Sequence, residues 1–366
     1  MSTLTTITKM TQIIAEYIWL DAKGGIRSKT KVLFEHIFDE VEKKLIFPEW
    51  NYDGSSTGQA TGNASEIVLK PVRYYLDPIR QYKNPLSGAQ NNYLVLCETY
   101  CPDGTPHATN HRHLLTQLLD TIPEAETMFG FEQEFFLVDR FGNIPAFNHT
   151  VKMAEQGLAK QGQYYCGVGE GNVFDRAPVE DTMEACLRMG LSITGMNAEV
   201  APSQWELQVC EKGVSGADQL IMLRYILGRT LEKYQLNYDI SPKPLEGDWN
   251  GSGCHTNFST KAMREGDVDA GLTGYDIILS CMDKLKDKHQ HHMAHYGLDN
   301  QKRMTGGHET SSYDEFTYGL GNRGCSVRIP NQTLKEKKGY FEDRRPGSNM
   351  DPYIVSRLIV ETCCVD

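Results

Sequence analysis

The chain has 366 residues, 40% hydrophobic and 23% charged, the composition of an ordinary folded protein long enough to bury a sizeable core and divide into two domains. A formal net charge of -11, with no run of Lys and Arg, argues against a nucleic-acid partner, and no apolar stretch approaches the ~20 residues of a membrane span. MSTLTTITKM lacks Arg and an apolar signal core, and the ten cysteines show no CxxC spacing, so a cytoplasmic protein with reduced, packed thiols is expected.

In chain order, YIWLD (17–21) and IRSKTKVL (26–33) read as strands flanking a hairpin turn at Lys23-Gly24-Gly25. EWNYDGSSTGQATGN (49–63) is a polar loop in which Asp53, at a DG step, reads as a plain turn residue. YLVLCETY (93–100) is a further strand, and CPDGTPHATNH (101–111) has the turn chemistry of a domain boundary, which places the domains at 1–106 and 107–366. HLLTQLLDTI (113–122) then reads as a helix and FGFEQEFF (130–137) as a strand. VEDTMEACLRMGL (179–191) has helical spacing of Met183, Cys186, Leu187 and Met189 to Leu191; residues 217–236 form a longer amphipathic helix, and 267–297 hold one more. Helices mixed irregularly with short strands predict an α+β fold.

The chemistry lies on the strands. Alternation puts Glu132 and Glu134 on one face of FGFEQEFF, with Cα atoms roughly 6.6 Å apart. NAEVAPSQWELQV (197–209), folded as a hairpin about Pro202 and Ser203, would set Glu199 opposite Glu206, although Pro202 favours a type I or II turn over the primed hairpin turns and so leaves room for a loop wider than two residues. Facing like charges destabilise a strand pair unless a cation sits between them. DWNGSGCHTNFST (248–260) puts His255, Asn257 and Ser259 on one side of a strand, and KKGYFEDRRP (337–346) puts Glu342 and Arg344 on one face. Five carboxylates with one imidazole suit Mg²⁺ or Mn²⁺ better than zinc. Against them stand Arg303, Arg323, Arg328 and Arg344, and divalent ions with guanidinium groups are what phosphoryl transfer requires. No Walker or GxGxxG sequence occurs, so a nucleotide would be held by metals and Arg. His289, His291, His292 and His295 lack the Glu of a HExxH helix and read as a partly exposed helix face.

PEWNYDGSSTGQATG, LVLCETY, FGFEQE, NAEVAPSQWELQ, DWNGSGCHTNFST, MTGGHETSS, NRGCSVRIP and EKKGYFEDRRP together resemble, in order, the blocks of eukaryotic-type (type II) glutamine synthetases, over residues 17–360. The resemblance implies an N-terminal β-grasp domain and a C-terminal catalytic domain whose antiparallel strands form a bifunnel. It implies ATP-dependent joining of ammonia to the γ-carboxylate of L-glutamate, and a decamer of two pentameric rings with active sites between adjacent subunits. It assigns Glu134, Glu199 and Glu206 to one metal, and Glu132, His255 and Glu342 to a second nearer the nucleotide, with two to three ions per site. Glutamate would be held by Asn250, Gly251 and Arg303, beside Glu132, Glu206, Arg323 and Arg344. Arg323 and Arg344 would neutralise the transferred phosphoryl group. The nucleotide would meet Glu134, Asn257, Ser259, Arg264, Arg328 and Tyr340. Asp53 would reach a neighbouring subunit and deprotonate ammonium, while Glu309 would close over the intermediate.

The chain departs from the family pattern at Met128, where many members carry Trp, at Gly307 in GGHET, along residues 171–183, and in a longer link at 79–93. A γ-glutamyl ligase using a larger amine, and a non-catalytic structural relative, are the alternatives. The first would be expected to lose Asp53 or Glu309 and the second its metal ligands, and all are present.

Overall fold

The structure, a computed structural model, describes residues 12–33, 38–39, 44–80, 82–83, 92–146 and 162–365. The N-terminal decapeptide and most of the 79–93 link lie outside them. The chain forms two compact units, one reaching to His113 and including Arg188–Gly190, the other holding the remainder.

In the first unit, β1 (Ile13–Leu20) and β2 (Ile26–Leu33) form the expected hairpin. The short strands β3 (Phe38–Asp39) and β4 (Lys44–Leu45) pair separately. With β5 (Trp50–Asp53), β6 (Glu66–Leu76) and β7 (Asn92–Tyr100), the main sheet has the order β2-β1-β7-β6-β5, and β1 and β7 run parallel. Its core is aromatic and aliphatic, with Tyr17, Trp19, Tyr52, Leu69 and Val95 buried. Such a sheet, carrying a parallel central pair, matches the predicted β-grasp.

The second unit opens with α1 (His111–Asp120), which begins in the first, and β8 (Met128–Asp139). α2 (Arg176–Met189) buries Ala185, Cys186 and Met189, but Leu187, expected on that face, is exposed. β9 (Ile193–Ala198), β10 (Gln204–Lys212), α3 (Val214–Leu231), β11 (Leu236–Asp239), β12 (Cys254–Ser259) and α4 (Lys261–Glu265) follow. The helix expected over 267–297 is two: α5 (Gly274–Asp287), started by a Thr273/Asp276 capping box, and α6 (His289–Met293). β13 (Tyr318–Leu320), β14 (Val327–Ile329), α7 (Asn331–Glu336), β15 (Phe341–Asp343) and α8 (Pro352–Val360) complete the unit.

Its strands form one sheet in the order β13-β14-β15-β12-β8-β10-β9, with β11 also paired to β8. Alternation along β8 decides where the site can be. Phe129, Phe131 and Phe135 are fully buried on one face, so Met128, Gly130, Glu132 and Glu134 must take the other. Behind the sheet, Arg224 of α3 donates to Gln133 Oε1 at 2.7 Å and to the carbonyls of Met350 and Ser348. The Gln133 amide in turn bonds the Ser348 hydroxyl at 2.7 Å. This polar pin fixes the middle of β8, and with it the carboxylates on either side of Gln133.

Candidate active site

Three strands build the site row by row. Register sets Glu206 of β10 directly opposite Glu134 of β8, and Gln208 of β10 and His255 of β12 on either side of Glu132. One strand further, Glu342 of β15 lies between Asn257 of β12 and Arg328 of β14.

Two triads result. Ligand atoms of Glu132, His255 and Glu342 lie within 4.8 Å of one another, and so do those of Glu134, Glu199 and Glu206. In the second triad, burial first and neighbouring carboxylates second push Glu134, Glu199 and Glu206 up to about 8. In the first, His255 Nδ1 lies 3.3 Å from Glu132 Oε2 and 3.5 Å from Glu342 Oε1. Burial and then the Arg344 charge hold this imidazole well below its ordinary pKa, hence neutral, the form that can ligate a metal. Oxygen-rich donors converging at this spacing, with repulsion that a cation would relieve, fit hard divalent ions.

The expected pairing of Glu199 with Glu206 is corrected by the structure. Glu206 pairs with Asn197, and Glu199 donates its N–H to the Gln204 carbonyl at 2.8 Å, just beyond β9. The reversal spans residues 200–203, with Ser203 in the left-handed region at φ 56° and Gln204 N–H bonded to Ala201 O. A two-residue slip preserves the face, so Glu199 still reaches the triad, diagonally rather than opposite.

These groups line a cavity of about 240 Å³ that also takes in Asn250, Gly251, Arg303, Glu309, Arg323, Arg328 and Arg344. Arg344 donates to Glu342 Oε1 at 2.6 Å and to the carbonyls of Arg323 and Glu309. Arg328 donates to Glu342 Oε2 at 3.0 Å, and Arg323 stands 3.7 Å from Glu309. Buried Arg303 is pinned by the carbonyls of Arg344, Arg345 and Pro346. Gly251 is needed for that placement, since a Cβ there would stand 2.5 Å from Arg303 Cγ and 2.4 Å from Pro242 O. Gly251→Ala is therefore expected to destabilise the fold by about 1–3 kcal/mol, read as a lower urea midpoint at unchanged slope.

A second cavity, of about 370 Å³, meets the first at Glu132 and Gln208. Met128, Gly130, Cys210, Asn257, Ser259, Arg264 and Tyr340 line it. Of the sequence's nucleotide candidates, Asn257, Ser259, Arg264 and Tyr340 come together here, whereas Glu134 and Arg328 line the first cavity.

Comparison with known proteins decides the family. A family profile described as "Glutamine synthetase, catalytic domain" matches residues 109–362, and "Glutamine synthetase, beta-Grasp domain" matches residues 12–102. The chain is 47% identical over 355 residues to a glutamine synthetase of Kluyveromyces lactis, covering 96% of this chain and 89% of that protein. It is 46% identical over 360 residues to that of Saccharomyces cerevisiae, covering 96% and 90%, and 45% over 358 residues to that of Agaricus bisporus, covering 97% and 94%. The chain belongs to the glutamine synthetase family. It is an enzyme of the eukaryotic type, an ATP-dependent ligase forming glutamine from glutamate and ammonia, and membership implies use of a divalent metal.

Several residues of this glutamine synthetase site escaped the sequence reading. Asn197 donates to Glu199 Oε1 at 2.8 Å and Gln208 to Glu206 Oε1 at 2.6 Å, so each orients a carboxylate. The signal was present, because each amide lies two residues from its glutamate, the i, i+2 spacing that places side chains on one side of an extended chain. Gln204 donates to Glu134 Oε2 at 3.2 Å, alongside the Gly253 N–H at 3.0 Å. Tyr165, His308 and Thr310 line the first cavity from loops whose sequence gives no periodic cue. Asp53 belongs to the first unit, where its carboxylate caps the turn Gly54–Thr57. Bonds from the Ser55 hydroxyl and N–H and from Ser56 hold it below the usual carboxylate range. In the histidine cluster His291 and His295 are exposed, as expected of that helix face. His289 and His292 are not: His292 is buried between Tyr296 Oη and Thr362 Oγ1, and His289 lies against the Tyr313 carbonyl.

Proposed function

We propose that glutamine is made at the junction of the two cavities, with glutamate and the transferred phosphoryl group in the first and the nucleotide in the second. The observation carrying this reading is the convergence of two ligand triads in the first cavity, with Glu132 of one triad lining the second cavity as well. Glu134, Glu199 and Glu206 would hold one Mg²⁺ or Mn²⁺ and Glu132, His255 and Glu342 another, and bound ions supply neutralisation of phosphate oxygens.

Asn250, Gly251 and Arg303 hold the glutamate. Its γ-carboxylate oxygen attacks the γ-phosphorus, the bond to the ADP oxygen breaks, and γ-glutamyl phosphate forms. Arg344 and Arg323 neutralise charge on the transferred group. Asp53, from a neighbouring subunit, takes a proton from ammonium; the ammonia nitrogen attacks the acyl carbon, the bond from that carbon to the phosphate oxygen breaks, and the departing phosphate takes up the second nitrogen proton. Glu309 closes the site against water, which would otherwise hydrolyse the anhydride. Its loop holds Gly306, His308 and Glu309 at positive φ, a conformation that side-chain-bearing residues rarely adopt.

A homodecamer of two pentameric rings, with sites shared between subunits, accompanies the Asp53 role, and the domain junction lies at residues 106/107. A cytoplasmic setting agrees with ten free cysteines, five of them buried, and no helix among the described residues is long and apolar enough to cross a membrane. The test is phosphate release by the purified protein with ATP, Mg²⁺ and glutamate, with ammonium present or replaced by a panel of primary amines. Release and glutamine formation that both require ammonium are expected. Turnover only with a bulkier amine would change the substrate, and turnover with neither would end the assignment.

A further inference from the structure

The second cavity has a floor whose register can be read outward from the metal cages. Across β10, β8 and β12 the rows are Gln208–Glu132–His255, then Cys210–Gly130–Asn257, then Lys212–Met128–Ser259. Four residues of strand separate Glu132 from Met128, about 13 Å. If the phosphates sit at the Glu132 row, the sugar crosses Gly130 and the base arrives over Met128. Gly130 leaves that middle row bare, since even a Cβ there would stand 3.3 Å from Asn257 Cβ.

The amide and guanidinium groups of the cavity are engaged within the protein. Asn257 Nδ2 donates to Glu132 Oε1 at 2.9 Å, and Gln208 Nε2 to Glu206. Arg264, which lines the cavity, donates to Ser259 Oγ at 2.9 Å, to Ser259 O at 3.2 Å and to Glu126 O at 2.8 Å. Around the base position the side chains are then Met128 and Cys210, with the hydroxyls of Thr194 and Tyr340. A hydroxyl both donates and accepts, so it meets a base amino group or a base carbonyl equally well. Strong discrimination needs fixed donors or acceptors that the wrong ligand leaves unpaired. A methionine surface instead adapts to what it meets.

We propose that this chain recognises its nucleotide through the phosphates and discriminates only weakly among bases, with Met128 the side chain under the base. GTP and UTP would then serve as phosphoryl donors beside ATP, each breaking its γ-phosphoryl bond to release GDP or UDP. The inference rests on the second cavity being the nucleotide site.

The experiment measures kcat/KM of the native protein for ATP, GTP and UTP with Mg²⁺, glutamate and ammonium, and the melting shift given by ADP, GDP and UDP. The three kcat/KM values are expected within about tenfold of one another, with all three diphosphates raising the melting temperature. Met128→Trp, which supplies a stacking surface, is expected to lower KM for ATP and GTP about tenfold and for UTP less. An ATP preference of a hundredfold or more in the native protein, with GDP and UDP giving no shift, would overturn the inference. So would a folded Met128→Trp protein whose KM values and shifts match the native ones. Failure of all three triphosphates would instead remove the glutamine-forming assignment, and this inference with it.

Discussion

Replacing Glu134 by Gln is expected to lower kcat/KM about a thousandfold while making the metal-free protein more stable. The two effects have one cause. Glu134 is buried opposite Glu206, and its carboxylate is disfavoured by burial and by the charge of Glu199. An amide of the same shape keeps an oxygen to accept from Gly253 N–H, which now bonds Glu134 Oε2 at 3.0 Å. It removes one of three buried carboxylates that the metal-free fold must either protonate or leave charged, so melting in a chelator should rise by a few degrees. Activity moves the other way, because the cage that would neutralise phosphoryl charge loses an anionic ligand; a thousandfold corresponds to about 4 kcal/mol of transition-state stabilisation. Initial rates, with melting curves in chelator and in Mg²⁺, check both arms. Activity within tenfold of native, or a lower melting temperature in chelator, would mean that Glu134 is not a ligand.

Much of this site is legible because strand alternation is a local rule. Glu132 with Glu134, His255 with Asn257 and Ser259, and Glu342 with Arg344 could each be put on one face from spacing alone, and the sheet keeps them there. Register is not local. Glu199 sits diagonal to Glu206 because Ser203 adopts a left-handed turn that four residues of sequence do not announce. Arg303 has no periodic neighbour to mark its role; its position comes from the carbonyls of residues 344–346, some forty residues away. Which histidines of the partly exposed face turn inward is hidden for a related reason. The helix His289–Met293 carries three of the four, with His295 just beyond it, and buried Arg345, paired with Asp343 at 2.7 Å, draws His289 and His292 inward, a partner that only the tertiary fold supplies. The second cavity needed both rules, alternation to choose the face of β8 and register to set Gly130 between Cys210 and Asn257.

Chelating divalent metal should make the stability of the protein fall steeply as pH rises, and restoring Mg²⁺ should abolish the slope. Glu134, Glu199 and Glu206 are pushed up to about 8 in the folded chain, against an ordinary carboxylate value near 4.5. Between those values the folded state holds protons that the unfolded state has released. Stability must then decrease with pH across that window, being fully present below about 4.5 and lost as pH passes 8. The direction is opposite to that of a salt-bridged carboxylate, which weakens a protein in acid. Coupling within the triad spreads the titration over several pH units. A divalent ion binds only the ionised carboxylates, so saturating Mg²⁺ stabilises the folded state most where the chelated protein is weakest. Between pH 5.5 and 8.5 the melting temperature in chelator is expected to fall by about 10 °C, and in Mg²⁺ by much less. Glu134→Gln should flatten the chelated profile even without metal. Parallel profiles with and without Mg²⁺ would show that these carboxylates do not meet the ion, and an unchanged slope in the variant would show that their repulsion is not what weakens the metal-free fold.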